Sequence, residues 1–306
     1  METQKQAYTY AIIAVLFWST IASVFKVSLR YMDFLQLLLF SSFVAILVLF
    51  LILLGQNKLG LLKTYSKSDY LRSALLGILN PFVYYVILLK AYSLLRAQEA
   101  QPLNYTWQIM LVLLSIPLLK QKIKLLSILA IFISFFGVFV ISTQGDVLSF
   151  RFTHLGGALL ALGSAVIWAL FWIYNLRDKR DAVAKLFLNF CFGFVFILVT
   201  TSLFSEIVIP ETAGIVGVIY VGIFELGLTF VIWLKALSLS RTTAQVSNLI
   251  YLAPFVSLIF IHLIVGEEIL LSTITGLILI VAGIGLQQYT SRLYPPLKSG
   301  ENLKSS

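Results

Sequence analysis

The chain has 306 residues, 60% of them apolar and 11% charged, and a formal net charge of +9. That balance is too apolar for a soluble domain and points to a chain that lives in lipid. The single cysteine, Cys191, excludes an intrachain disulfide.

Apolar stretches of about 20 residues, enough to cross roughly 30 Å of hydrocarbon, recur from end to end. In chain order the expected spans cover 8–28, 33–54, 70–94, 97–119, 124–143, 154–176, 184–205, 212–238, 242–264 and 269–290. The longest polar segments are the Lys58–Asp69 loop and the tail after Tyr289, which leaves no room for a soluble domain. Ile12–Ile21 followed by Ala22 and Ser23 has the look of a signal peptide. Its leader lacks a basic segment, however, and Leu159–Trp172 is a mid-chain counterpart, so the stretch reads as the first helix.

Charge sets the expected orientation. With the N-terminus inside, every lysine and arginine falls on the cytoplasmic side except Lys26, Arg30, Lys90, Arg96 and Arg151. Basic residues accumulate on cytoplasmic loops, so this asymmetry places both termini in the cytoplasm and favours an even number of spans. The basic residues report topology rather than nucleic-acid binding.

An internal repeat follows from the third span. Lys90-Ala91-Tyr92-Ser93-Leu94-Leu95-Arg96 reads against Lys235-Ala236-Leu237-Ser238-Leu239-Ser240-Arg241 at a spacing of 145, which also carries Gly77 onto Gly222 and Asn80 onto Glu225. Tyr105–Gln108 falls on Tyr251–Pro254 after a one-residue slip, and Trp18 corresponds to Trp168 at a spacing of 150. The unit is five helices, an odd number, so the second copy enters the membrane inverted. Inverted repeats are characteristic of secondary transporters whose site lies near the midplane between the repeats. The expected fold is therefore an all-α membrane protein of ten transmembrane helices in two inverted five-helix repeats, 1–145 and 151–291, with a cytoplasmic tail from 292 to 306.

Candidate site residues come next. Trp18, Trp107 and Trp168 sit near the middle of their spans, suited to a wall for aromatic or aliphatic solutes or to ordinary packing. Trp233, near a cytoplasmic end, fits the interfacial belt. Asn80 precedes Pro81, which removes a backbone donor and loosens the helix, so Asn80 either satisfies the freed backbone or contacts solute. Tyr84 or Tyr85 shares that face. Asn104 is interhelical glue or a polar contact, and Tyr251 with Pro254 marks a kink or a further contact. Ala161, Ala165 and Ala169 recur at the spacing of a close helix contact. Glu99, Glu267 and Glu268 suit helix starts at the outer surface.

Glu225 stands apart, a lone acid within the apolar run Ile215–Leu234. A charge at bilayer depth is costly and marks a solute or proton pathway by default. It has three open roles: binding a solute amine, relaying a proton, or acting as a neutral hydrogen-bond donor. Enzyme chemistry finds little to work with, because His154 and His262 are the two histidines and neither a phosphate loop nor a Cys/His cluster is present.

Several motifs resemble a known family. Trp18-Ser19-Thr20 resembles the Trp-Ser/Gly pattern of the EamA-type transporters of the drug/metabolite transporter superfamily. Glu99 with Asn104-Tyr105-Thr106-Trp107-Gln108 is similar to the Glu…Asn-Tyr-Leu-Trp-Pro signature of their aromatic amino-acid exporter branch, with Thr106 and Gln108 at its Leu and Pro. Pro254 and Gly266-Glu267 resemble the family's Pro and Gly-Glu. The resemblance spans nearly the whole chain. It implies a secondary transporter of the plasma (bacterial inner) membrane that exports amino acids or related amphipathic metabolites by alternating access, with no cofactor and no metal. The residues it and the repeat nominate for solute contact are Trp18, Ser19, Asn80, Tyr84, Asn104, Trp107, Trp168, Glu225 and Tyr251, with Glu225 also the proton-coupling candidate. The expected partners are a small-molecule solute and the lipid bilayer, with a homodimer left open. A passive channel, a lipid flippase and a multidrug carrier are the rival readings.

Overall fold

A computed structural model of the chain describes residues 2–119, 125–148, 153–239 and 248–293. The first rods are α1 (Glu2–Ser28) and α2 (Phe34–Gly55), followed by the short α3 (Gly60–Thr64). A long composite rod runs through α4 (Lys67–Gly77), a π-helical turn at Ile78–Val83 and α5 (Tyr84–Leu94). Then come α6 (Ala97–Tyr105), α7 (Trp107–Leu119), α8 (Leu125–Ser142), α9 (Leu155–Arg177) and α10 (Ala182–Phe204). A second composite rod is α11 (Thr212–Tyr220), a π-helical turn at Val221–Gly227 and α12 (Leu228–Leu239). The last segments are a 3₁₀ turn at Asn248–Leu252, α13 (Ala253–Phe260), a π-helical turn at Ile261–Val265 and α14 (Leu271–Leu293).

Among the described residues, seven helices are long and apolar enough to cross a membrane, and Ile128–Ser142 and Ala253–Val265 are shorter apolar helices. The expected span at 97–119 is divided at Thr106 into α6 and α7. Residues 242–247 of the expected ninth span, Lys120, Lys122, Lys124, Arg151 and Arg241, and the tail from 294 lie outside the described residues. The Lys58–Asp69 segment, expected as a loop, holds α3 and the first turn of α4.

Local chemistry explains where the rods begin. Asp33 caps α2, its carboxylate accepting from Leu35 and Gln36 N–H while the Gln36 side chain returns to the Asp33 N–H. Ser66 and Asp69 do the same for α4. His154 Nδ1 accepts from Gly157 N–H at 2.9 Å to open α9. These caps satisfy backbone donors that a helix start otherwise leaves unpaired. Gly266, at φ 78°, closes the last π-helical turn in a left-handed conformation that glycine tolerates.

The two composite rods share one device. Tyr84 N–H reaches the Leu79 carbonyl and Leu228 N–H reaches the Ile223 carbonyl, each a bond five residues back that widens the turn. In the first rod Pro81 lacks the donor, and Asn80 leaves helical geometry at φ −148°, ψ 120°. In the second, the Thr229 hydroxyl donates to the Phe224 carbonyl, satisfying an acceptor at the widened turn.

Packing follows small residues, as it does where lipid removes any hydrophobic drive between helices. A Cβ added at Gly276 would strike Ile141 and the Gly137 carbonyl, and one at Gly283 would strike Ser134 and the Ala130 carbonyl, so α8 and α14 lie in near backbone contact. Gly77 abuts the Asn189 carbonyl of α10, and Gly222 abuts Val44 and the Ser41 carbonyl of α2. α1 packs along α11–α12 and α13, α9 along α5 and α6–α7, and α2 against α10. Ala161, Ala165 and Ala169 are fully buried on α9, with Ala165 and Ala169 clustered against Met110 of α7, in line with a close helix contact. Leu51, Leu203, Phe204, Val216 and Leu263 face outward from the bundle, as side chains bathed in lipid do.

Candidate functional site

The site is assembled at the two composite rods. Glu225, on the second π-helical turn, is 8% exposed, and its Oε1 accepts a 2.8 Å hydrogen bond from the Tyr85 hydroxyl of α5. The neighbouring Tyr84 hydroxyl donates to Asn104 Oδ1 at 3.3 Å, and Asn104 Nδ2 donates to Ser164 Oγ of α9 at 2.9 Å. Ser164 in turn donates to the Ala161 carbonyl at 2.6 Å. Four elements, the second composite rod, α5, α6 and α9, thus bring polar groups together inside an apolar bundle.

Aromatic rings run beside it. Tyr84 meets Tyr85 edge-on at 4.6 Å and stacks on Trp168 at 4.5 Å. Trp168 meets Phe230 at 5.7 Å, Phe230 meets Trp18 at 5.9 Å, and Trp18 lies 5.4 Å from Trp233. Pairs at these separations contribute about 0.5–1.5 kcal/mol each beyond the area they bury. Together they form one continuous series of packed rings, with a single acid beside Tyr85 at its edge.

The structure thus brings Trp18, Tyr84, Asn104, Trp168 and Glu225 into one connected group, and adds Tyr85, Ser164 and Phe230 to it. The other nominated residues stand apart from that series. Ser19 gives its hydroxyl to the Val15 carbonyl at 2.7 Å within its own helix. Trp107 packs toward Met110, Ala165 and Ala169. Asn80 is fully buried and neither of its amide atoms has a partner among the described residues. The Tyr251 side chain lies outside the described residues. Trp233 is a correction: at 5% exposure it is packed inside the bundle, because α1 covers the end of α12 that the sequence pattern assigned to the interface.

The end of the bundle that carries Ala97 is cross-tied. The Glu267 carboxylate, expected with Glu268 to start the last helix, instead receives Ala97 N–H at 2.8 Å and Gln98 N–H at 3.2 Å, so it caps α6. The last helix begins only at Leu271. Gln98 completes the tie, donating to the Glu268 carbonyl at 2.8 Å and accepting from Leu270 N–H and the Thr273 hydroxyl, both at 3.0 Å. Gln144 donates to Glu99 Oε1 at 2.8 Å, and Lys26 reaches the Tyr92 carbonyl at 2.9 Å. An anionic cap at a helix N-terminus is stabilising by about 0.5–2 kcal/mol. Glu267→Gln is accordingly expected to lower the midpoint of thermal unfolding by a few degrees and to speed proteolysis between α13 and α14. An unchanged digestion rate would contradict the tie.

The opposite end is held by ions. Arg180 grips Asp178, with Nη2 at 2.6 Å from Oδ2, and extends Nη1 to the Asp69 carbonyl and Nη2 to Ser73 Oγ, both at 2.9 Å. Lys58 pairs with Asp181 at 2.7 Å, whose other oxygen caps α10 through Val183 and Ala184 N–H. Burial alone would raise the Asp178 carboxyl, but its Arg180 hydrogen bonds outweigh that and hold it below the usual range. Asp181 is likewise raised by burial and more than compensated by Lys58 and the α10 N–H groups. A folded-state pKa below the unfolded one adds stability that is complete above the unfolded value and is lost as pH falls through the folded value. The purified protein is therefore expected to lose stability as pH drops below about 4, and Arg180→Gln to flatten that decline. An equally steep decline in the variant would remove Arg180 from the account.

Comparison with known proteins decides the lineage. The EamA-like transporter family model matches residues 5–143 and again 155–287. The chain belongs to the EamA-like transporter family. A protein of Clostridium kluyveri described as an uncharacterized transporter is 26% identical over 317 residues, covering 99% of both chains. YvbV of Bacillus subtilis, described in the same words, is 28% identical over 82% of this chain and 80% of its own. A solved crystal structure shares the fold at a TM-score of 0.66, with 21% identity over 94% of this chain and 98% of that one. This EamA-family chain is thus a multi-pass membrane protein whose relatives are transporters.

Proposed function

We infer that this EamA-family protein is a carrier that moves small organic solutes by alternating access, with its centre at the Glu225–Tyr85 contact. The observation that carries the reading is that hydrogen bond itself. It joins the two composite rods next to their π-helical turns, and Tyr84, packed on Tyr85, leads from it to Trp168, Phe230 and Trp18. Apolar walls with one buried carboxylate suit amphipathic cargo, and amino acids or related compounds leaving the cell are the favoured class. An affinity with the aromatic amino-acid exporter branch rests on Glu99 and the Asn104–Gln108 motif alone.

Ten spans in two inverted five-helix repeats fit the observations. The family model matches the chain twice. Exchanging the two halves turns the α1 contact with α11–α12 into the α9 contact with α4–α5, and the α10 contact with α4 into the α2 contact with α11. The same exchange places one π-helical turn on the other, Asn80 against Glu225. Both termini are assigned to the cytoplasm from the basic residues, in a plasma (bacterial inner) membrane. On that orientation the cross-tied Glu267 end is the outer one.

Counterflow in proteoliposomes tests the reading, with a solute panel that sets amino acids against cationic drugs. A carrier exchanges labelled for unlabelled solute and is accelerated from the opposite side. Flux without such acceleration would return the protein to a pore.

A further inference from the structure

The corner between α5 and α6 is held from outside its own rods. α5 ends at Leu94, Leu95 is extended at φ −107°, ψ 163°, and the last carbonyls of a helix have no donor within it. Lys26 of α1 supplies one, its ammonium donating to the Tyr92 carbonyl at 2.9 Å and to the Leu95 carbonyl. Arg96 stands at the N-cap of α6 without a side-chain cap, and the Glu267 carboxylate takes the Ala97 and Gln98 N–H groups in its place. A cation thus meets the C-terminal end of one helix and an anion the N-terminal end of the next, each complementing the dipole it faces. Both charges arrive on one jaw. α1 packs along α13 and the Ile261–Val265 turn, and Arg30, one turn beyond Lys26, donates to the Val265 carbonyl at 3.1 Å. Phe25 of α1 adds an edge-on ring contact with Tyr92 at 5.3 Å.

This clasp is one-sided. In the repeat, Lys90–Arg96 reads against Lys235–Arg241 at the other end of the bundle. Trp18 and Trp168 give a spacing of 150 for the first helix of each unit, and the caps Asp33 and Asp181 give 148. Lys26 then reads against Tyr174, Asn175 or Leu176, none of them basic. At the spacing of 146 that relates Tyr105 to Tyr251, Glu267 reads against Gln121, a match of sequence alone because Gln121 lies outside the described residues. The ties between α2 and α10, by contrast, come at both ends. Lys58 meets Asp181 at one, while Ser205 meets Asp33 and Gln36 meets the Glu206 carbonyl at the other. Paired ties of that kind favour neither end.

We propose that Lys26 and Glu267 form a latch that closes the bundle at its Ala97 end, and that its one-sidedness sets the empty carrier to stand open toward the cytoplasm. The inference rests on the carrier reading with its inverted repeats and deepens it. A carrier held this way waits on the side from which exported cargo comes. Release of the α5–α6 corner from Lys26 and Glu267 is then the step that admits solute to the outside. Solute drives that step only by binding the unlatched state more tightly than the latched one.

The test is the distance between paired nitroxide labels on the purified full-length protein in neutral detergent, with Cys191 replaced by alanine, read by pulsed electron paramagnetic resonance. Tyr31→Cys with Ser93→Cys places one pair at exposed positions of the latched end. Lys179→Cys with Ser238→Cys, the repeat counterparts and also exposed, places the other pair at the opposite end. With the latch intact the Tyr31–Ser93 pair is expected to give one narrow component. Lys26→Met keeps most of the side-chain length and removes the charge. It is expected to raise the share of a second, longer component about tenfold, the weight of a charge-assisted hydrogen bond, and to shorten the Lys179–Ser238 distance in the same proportion of molecules. Glu267→Gln is expected to shift both pairs the same way by a smaller factor, and it reads the latch if Lys26→Met fails to fold. A Tyr31–Ser93 distance unmoved in the folded variants overturns the proposal. Lengthening there without shortening at Lys179–Ser238 overturns it too, since the charges then only brace one end. Counterflow on the same preparations keeps the two readings apart. Unmoved distances with counterflow intact sink the latch alone, whereas distances that move as expected without counterflow sink the carrier and leave the latch standing.

Discussion

Glu225→Gln is expected to cut exchange of amine-bearing solutes by about tenfold or more, because it keeps the shape of the side chain and removes its charge. The motivation is geometric. Glu225 is buried on a π-helical turn, receives the Tyr85 hydroxyl at 2.8 Å, and through Tyr85 and Tyr84 joins the ring series that runs to Trp168, Phe230 and Trp18. If the acid also relays protons, the variant loses accumulation driven by a pH gradient while exchange of uncharged solutes at equal pH continues. Tyr85→Phe separates transport from folding. It leaves the acid in place but strips a buried acceptor of its donor, at a cost of about 1–3 kcal/mol in stability. Exchange unchanged in Glu225→Gln across the pH range, with only thermal stability altered, would make the acid a structural donor.

Gly222→Leu is expected to remove nearly all folded protein. A Cβ there already meets Val44 and the Ser41 carbonyl of α2, and a longer side chain has no room while α2 and the π-helical turn stay together. Overpacking of this kind costs about 1–3 kcal/mol when the surroundings can shift, and more against a backbone carbonyl. Gly77→Leu meets the Asn189 carbonyl and the Gly193 nitrogen of α10 and is expected to behave alike. Gly163→Ala is the control: nothing lies within 4 Å of its added Cβ, and the helix gains about 0.5–1 kcal/mol from the lost backbone freedom. Detergent-extracted yield and size-exclusion profile read all three. A monodisperse Gly222→Leu would mean that the α2 contact is looser than the structure places it.

Much of this is legible in the sequence. Spans announce themselves because apolar runs of the right length have no other stable home, and Glu225 and Asn80 are visible because polar residues inside such runs are rare. Partners were harder to read. Tyr85 and Tyr84 are adjacent in sequence, and the periodicity admits one of them to the Asn80 face; the widened turn sends Tyr85 to Glu225 and Tyr84 to Asn104. Phe230 is one of 24 phenylalanines and Ser164 sits in a small-residue helix, so neither carries a signal that separates it from packing. Trp233 was misplaced because depth along a helix says nothing about which helix covers it, and α1 does. Glu267 was misplaced for a related reason. A carboxylate shortly before a helix suits that helix's start, but the α6 N-terminus lies across the gap and presents two free N–H groups.

Those same ties offer the most direct measurement of alternating access. Gln98 and Thr273 touch at 3.0 Å across the Glu267 end, one on α6 and one on α14. With Cys191 replaced by alanine, Gln98→Cys and Thr273→Cys together are to be joined by a short bifunctional thiol reagent whose own linkage is reducible. Counterflow is then followed before joining, after joining and after reduction. The account predicts that joining stops exchange, because this end must part for solute to pass, and that reduction restores it. Undiminished exchange with the link in place would contradict alternating access through this end of the bundle.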